Sequence, residues 1–171
     1  MKIIEGMKRI KANKAKIQDL QEKISKISAN LSYETPLYGV DTAQKLSEWA
    51  QSCNDCAQEN VRLLVAIART NLVTKATVKI AEQSITKTLA EWIWRRREYA
   101  KVDLETWSKM TDRGLREGSA NSSTGVPIVA TIVRHYDVEK RDKKMAEYQS
   151  EPHEIDAALE VVNAVTDLIE A

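Results

Sequence analysis

Residues 1–31, MKIIEGMKRIKANKAKIQDLQEKISKISANL, place Ile3, Ile10, Ile17, Ile24 and Leu31 on an unbroken seven-residue comb, with Gly6, Asn13, Leu20 and Ile27 at the companion position. Apolar residues at this period form a coiled-coil seam, because both positions then stay turned toward a partner helix along the whole segment. Gly6 and Asn13 are poor seam residues, whereas Leu20 and Ile27 are good ones. Packing is therefore expected to tighten from Ile17 toward Leu31, with Asn13 setting register. The fold class this predicts is all-α, an antiparallel helical hairpin or bundle of about four long helices with coiled-coil packing.

The flanking sequence extends the pattern. Residues 32–39 bring together Pro36, Gly39, Tyr33 and Tyr38, which ends the first helix and turns the chain. Asp41 or Thr42 then caps a second helix, on which Leu46, Trp49, Cys53, Cys56, Asn60, Leu63, Ile67 and Thr70 keep 3–4 spacing. The two helices make a hairpin over residues 1–74. Leu63, Leu64 and Val65 thicken its face and predict a further helix packed there. Residues 72–80 are β-branched and alternate in part, as a short strand would.

A third helix is expected over 84–116, capped by Ser84 or Thr86, with Ile85, Leu89, Trp92, Ile93, Tyr99, Val102, Trp107 and Met110 on its inner face. Residues 117–136 read as a Ser/Gly-rich loop followed by an extended run. Its segment 128–135 is expected to pair with 77–80 as a small two-stranded β-ribbon. Asp137 caps a C-terminal helix over 137–170, whose comb from Val138 through Arg141, Met145, Tyr148, Ile155, Leu159 and Val162 keeps its phase across Pro152. One elongated helical domain over 1–171 accommodates all of this.

Composition agrees with a helical chain: there are five Gly, three Pro and no Phe. A formal charge of +1 excludes a whole-chain electrostatic argument for nucleic acid or an anionic membrane. The charge is polarised, however. Lysines crowd the first helix, while Glu151, Glu154, Asp156, Glu160, Asp167 and Glu170 occupy a C-terminal stretch without Lys or Arg. The basic half of the first helix, around Gly6 and Asn13, is expected to reach an acidic partner such as the tail of a neighbouring subunit. Charges interrupt Met1–Gly6 before an apolar core can form, so no signal peptide is expected, and no run is long enough to span a bilayer. The expected location is a bacterial cytoplasm or a virion.

Candidate chemistry is sparse. Cys53 and Cys56 form a Cys-x-x-Cys, but on the apolar comb of a helix, where packed free thiols are expected in place of a redox pair or zinc site. His135 and His153 lack the paired spacing of metal ligands, and no activated nucleophile accompanies either. No catalytic residue, cofactor or metal is predicted. The segment Trp92-Ile93-Trp94-Arg95-Arg96-Arg97 is the strongest local motif, since arginines beside tryptophans bind phosphate, stack on bases or anchor a protein partner. Protein-interaction residues are thus expected at Ile3, Met7, Ile10, Lys14, Trp94, Arg95 and Arg97, with Arg95, Arg96 and Arg97 as the nucleic-acid alternative.

The opening Ile3-Ile4-Glu5, Ile67-Ala68-Arg69-Thr70-Asn71, Ser84-Ile85-Thr86, the β-branched run into Tyr136-Asp137, and Glu154-Ile155-Asp156 with Leu159, Asn163, Thr166 and Leu168 resemble the septicolysin-like family of small, largely uncharacterised bacterial and phage proteins. That resemblance implies a long N-terminal helical hairpin joined to a C-terminal helix, and it brings no mechanism. The expectation is a non-enzymatic structural protein that forms homo-oligomers or joins a larger assembly, such as the neck, tail or capsid-associated part of a phage, without contact with a membrane. A nucleic-acid-binding helical module is the alternative.

Overall fold

A computed structural model describes residues 1–121 and 123–169. Helix α1 spans Ile3–Ile27 and α2 spans Thr42–Val73, after a single 3-10 turn at Gly39–Asp41. Strands β1 (Lys75–Ile80) and β2 (Gln83–Thr88) follow. Next comes a helical stretch made of α3 (Leu89–Trp94), a π-turn (Arg95–Tyr99) and α4 (Ala100–Ser108). Strands β3 (Gly118–Asn121) and β4 (Pro127–Ala130) precede α5 (Val138–Val165). The protein is thus mainly helical, with two small antiparallel sheets. Its contacts divide into two compact units, one comprising Met1–Lys75, Thr88–Ala90 and Leu159–Ala171, the other Ala76–Lys87 and Glu91–Ala158.

In the first unit, α1 and α2 pack as the expected hairpin. Gly6 lies by Ile67, Asn13 pairs with Asn60, and the Cys53 Sγ approaches the Ile17 carbonyl, so positions ascend on one helix as they descend on the other. The gradient of packing is the reverse of the expectation. Ile3, Gly6, Ile10 and Asn13 are buried, whereas in the second half only Leu20 is: Ile17, Ile24 and Ile27 are half-buried and Leu31 is exposed beyond the helix end.

The reason is a clasp between the chain's two ends. The Ile3 N–H donates to the Thr166 carbonyl at 3.0 Å, the Leu168 N–H to the Met1 carbonyl at 2.8 Å, and the Ile169 N–H to the Thr70 hydroxyl at 2.9 Å. Lys2 Nζ lies 2.7 Å from Asp167. The basic start and acidic tail thus meet within one chain. Gly6 has its own explanation here: a Cβ at that position would lie 2.9 Å from Leu168 Cδ1.

Asn13 does occupy the interface as a buried polar residue. Its amide donates to Asn60 Oδ1 at 3.1 Å and to Glu59 Oε2 at 2.7 Å, which satisfies both N–H groups. A one-turn slip of α1 along α2 would strand that amide among apolar neighbours. The expected C-terminal helix stops at Val165, five residues before the expected end; residue 170 lies outside the described residues. The phase across Pro152 is as expected, within one continuous helix.

The largest departures concern the strands. Segment 77–80 does not pair with 128–135. It lies in β1 and pairs with β2, closed by the two-residue turn Ala81–Glu82, and Thr77 and Thr86 hydroxyls meet across it at 2.7 Å. Residues 127–130 pair instead with 118–121, Gly118 opposite Ala130 and Asn121 opposite Pro127. Ser84 and Thr86, expected to cap a helix, are therefore in β2, and the third helix runs over 89–108 instead of 84–116. Local pairing prevails because closing a short hairpin costs far less chain entropy than joining strands some fifty residues apart. Ala81 and Glu82 adopt φ values of 45° and 71°, a left-handed turn built without glycine.

Two outcomes follow for the first unit. Gly6→Val should lower stability to urea by about 2 kcal/mol through overpacking against Leu168, and Leu168→Ala should restore part of the loss in the double variant; an unchanged urea midpoint for Gly6→Val would contradict the clasp. Hydrogen bonds from Arg9 and then Asn13 hold the Glu59 carboxyl below the usual glutamate range. Because its folded pKa is depressed, that contribution is complete above the unfolded value of about 4.3 and is lost as pH falls through the folded one. Between about pH 5 and 3 the wild type should lose stability more steeply than Glu59→Gln.

Candidate functional site

Two surfaces stand out, one in each unit. In the first, α2 carries a second apolar face turned away from α1. Val61 is 61% exposed, Leu64 52% and Leu72 65%, and Val65, Ala57 and Ala68 lie exposed on the same stripe. Spacings of four, three, one, three and four residues from Ala57 to Leu72 keep these six side chains within about a third of the helix circumference. Leu64 and Val65, on the face expected to receive a further helix, are thus exposed.

In the second unit, the site is built around Arg95. A regular helix would turn Tyr99 and Val102 inward with Trp92. The π-turn over Arg95–Tyr99 inserts one residue into the phase, so Ala100 and Asp103 take those inner places, while Tyr99 and Val102 are more than half exposed. Asp103 thereby comes onto the face of Arg95 and accepts from its Nη1 at 2.6 Å. From α5, Glu151 receives Nε at 2.6 Å and Nη2 at 2.8 Å, a bidentate pair with the carboxylate 2% exposed. The Glu151 hydrogen bond above all, then that to Asp103, holds the guanidinium charged against the cost of burial. Tyr148 places its ring 5.6 Å from the guanidinium carbon.

A cleft of 440 Å³ opens beside this network. The β1–β2 hairpin lines it with Ile80, Ala81, Gln83, Ile85 and Lys87, α3 and the π-turn with Trp92 and Arg95, and α5 with Lys143, Lys144, Glu147, Tyr148 and Glu151. Trp92 is buried, its indole N–H donating to the Ala76 carbonyl at 2.9 Å, and Lys87 sits 5.3 Å over its ring. Lys144 is engaged by Glu147 at 2.6 Å.

The expected interaction residues divide accordingly. Ile3 and Ile10 are buried in the first unit's core and present no surface. The heptad seam alone could not distinguish a partner helix in the same chain from one in another. Met7, Lys14, Trp94 and Arg97 are exposed, Trp94 at 54%. Arg95 is committed to Glu151 and Asp103, and Arg96 pairs with Asp156, so the three consecutive arginines do not act as one patch. Cys56 is buried and Cys53 half-buried, both as free thiols on the packed side of α2.

A family described only as of unknown function, DUF6847, matches residues 11–168. The chain belongs to that family. No curated protein and no solved structure matches it. The DUF6847 match lends no support to the septicolysin-like resemblance or to a phage origin; what stands is a mainly helical member of an uncharacterised family.

Sequence reasoning missed the cleft in this DUF6847 chain because its lining comes from three segments with no shared spacing. The outer α2 face did leave a signal, the density of apolar residues at 61–65, which was assigned to an intrachain helix. Arg95→Met should cost about 3 kcal/mol in urea denaturation by leaving Glu151 buried and unpaired. Arg95→Met with Glu151→Met should recover most of that loss; equal losses in the two variants would show that the pair itself is not what is being broken.

Proposed function

We propose that the protein is a non-enzymatic assembly subunit that associates through helical surfaces, and that the outer face of α2 receives the same face of a second copy. The observation that carries this reading is the symmetry of the stripe. About a point between Leu64 and Val65, antiparallel pairing sets Leu64 against Val65, Val61 against Ala68 and Ala57 against Leu72. Larger side chains thus meet smaller ones, as interdigitating layers require, and a two-fold contact uses one patch twice. Coiled-coil packing belongs to this proposed contact as well as to the α1–α2 hairpin.

The magnitudes favour a concentration-dependent pair. Each of the four large residues per copy is already partly covered, so burying the remainder yields roughly half of the 1.5–3 kcal/mol for a full side chain, on the order of 6–12 kcal/mol for eight. An association cost of about 4 kcal/mol or more leaves micromolar or weaker binding. A larger assembly, a virion among them, would add further contacts through exposed Trp94, Tyr99 and Val102. The nucleic-acid alternative is weakened by the carboxylate partners of Arg95 and Arg96.

Light scattering coupled to size-exclusion chromatography, from about 1 µM to 1 mM, should show a monomer–dimer equilibrium for the wild type. Leu64→Lys with Val65→Lys should be monomeric throughout, with its helical circular dichroism intact because both positions face solvent. A wild type that stays monomeric over the whole range would sink the proposal.

A further inference from the structure

The cleft in the second unit has the makings of a binding site that the assembly reading does not use. Its volume of 440 Å³ lies in the range of small-ligand sites. One wall is held rigidly: Glu151 is buried, and Arg95 is fixed from two sides by Glu151 and Asp103. Buried ion pairs contribute little net stability against apolar residues of the same size, so a pair of this kind lining a cleft marks a place where positioned charge is useful.

The charges are unequal. Arg95 and Lys144 have carboxylate partners within the lining, in Glu151 and Glu147. Among the described residues, Lys87 from β2 and Lys143 from α5 pair with no carboxylate; because Arg95 is shared by Glu151 and Asp103, the site as a whole retains a single excess positive charge. The same lining includes apolar surface from Ile80 and Ile85 and the ring of Tyr148.

We infer that this cleft binds a small organic dianion of the phosphate-monoester class, its phosphoryl oxygens between the Lys87 and Lys143 ammonium groups and its apolar body along Tyr148 and Ile85. Two point charges on flexible stems suit a dianion that presents three oxygens, whereas a carboxylate would neutralise only one of them. The hairpin brings Lys87 to the site, and its left-handed turn places Ala81, which lacks a bulky side chain, at the cleft wall.

The test uses the full chain with phenyl phosphate as probe, followed by two-dimensional amide and indole NMR and by calorimetry. Saturable shifts centred on the Trp92 indole, residues 80–87 and residues 143–148 are expected. Lys87→Gln with Lys143→Gln should weaken binding about tenfold; Lys143 is exposed and Lys87 half-buried, and an unchanged spectrum elsewhere will show the fold intact. Benzoate should bind about tenfold more weakly than phenyl phosphate. Non-saturable shifts, shifts spread over the lysines of α1, or binding unaffected by the double substitution would overturn the inference. So would equal affinity for benzoate.

Discussion

The buried amide of Asn13 is the constraint on which the first unit depends. An amide N–H left without an acceptor in an apolar interface costs about 1–3 kcal/mol, comparable with a large fraction of a small domain's stability. The hydrogen bonds to Asn60 and Glu59 therefore select one alignment of α1 along α2 out of several that would bury similar apolar area. That alignment carries Gly6 to the place where Leu168 enters and Ile3 to the place where its N–H meets Thr166. The clasp of the two chain ends is a consequence of register as much as of charge.

In the second unit a different device does comparable work. One extra residue in the π-turn exchanges Tyr99 and Val102 for Ala100 and Asp103 on the inner face. The small Ala100 permits close packing, and Asp103 completes the shell around Arg95. The exposure of Tyr99 and Val102 is the other side of the same change. A single local irregularity thus produces a rigid charged wall, two outward apolar residues and the edge of a cleft, which is why the neighbouring surfaces are best understood together.

Much of the helical plan was legible in the residues. The heptads of 1–31, the Pro36–Gly39 turn, the comb of α2 and the comb of α5 across Pro152 each repeat often enough for periodicity to outweigh local propensity. The strands were legible as strands but not as pairs, because β-branched composition carries no information about partners. The region 84–88 misled for a related reason: Ser84 and Thr86 serve equally as helix caps and as strand residues, and only the pairing with β1, where Thr77 meets Thr86, decides between the two. The cleft left no trace in spacing, since Lys87, Arg95 and Lys143 are brought together by folding.

What the sequence by itself determined is a mainly helical chain with a polar residue built into its first seam, a positively charged start and a negatively charged end. Tertiary structure alone decided that those ends satisfy each other, that the first half of α1 is core, and that the outer face of α2 is bare. It also decided which of three adjacent arginines is held between two carboxylates. The physical reason is common to all of these. A periodic apolar pattern states that a face must be covered and a charge states that it prefers an opposite one, but neither names the partner, which is chosen by register, by loop closure and by the one-residue shift of a π-turn.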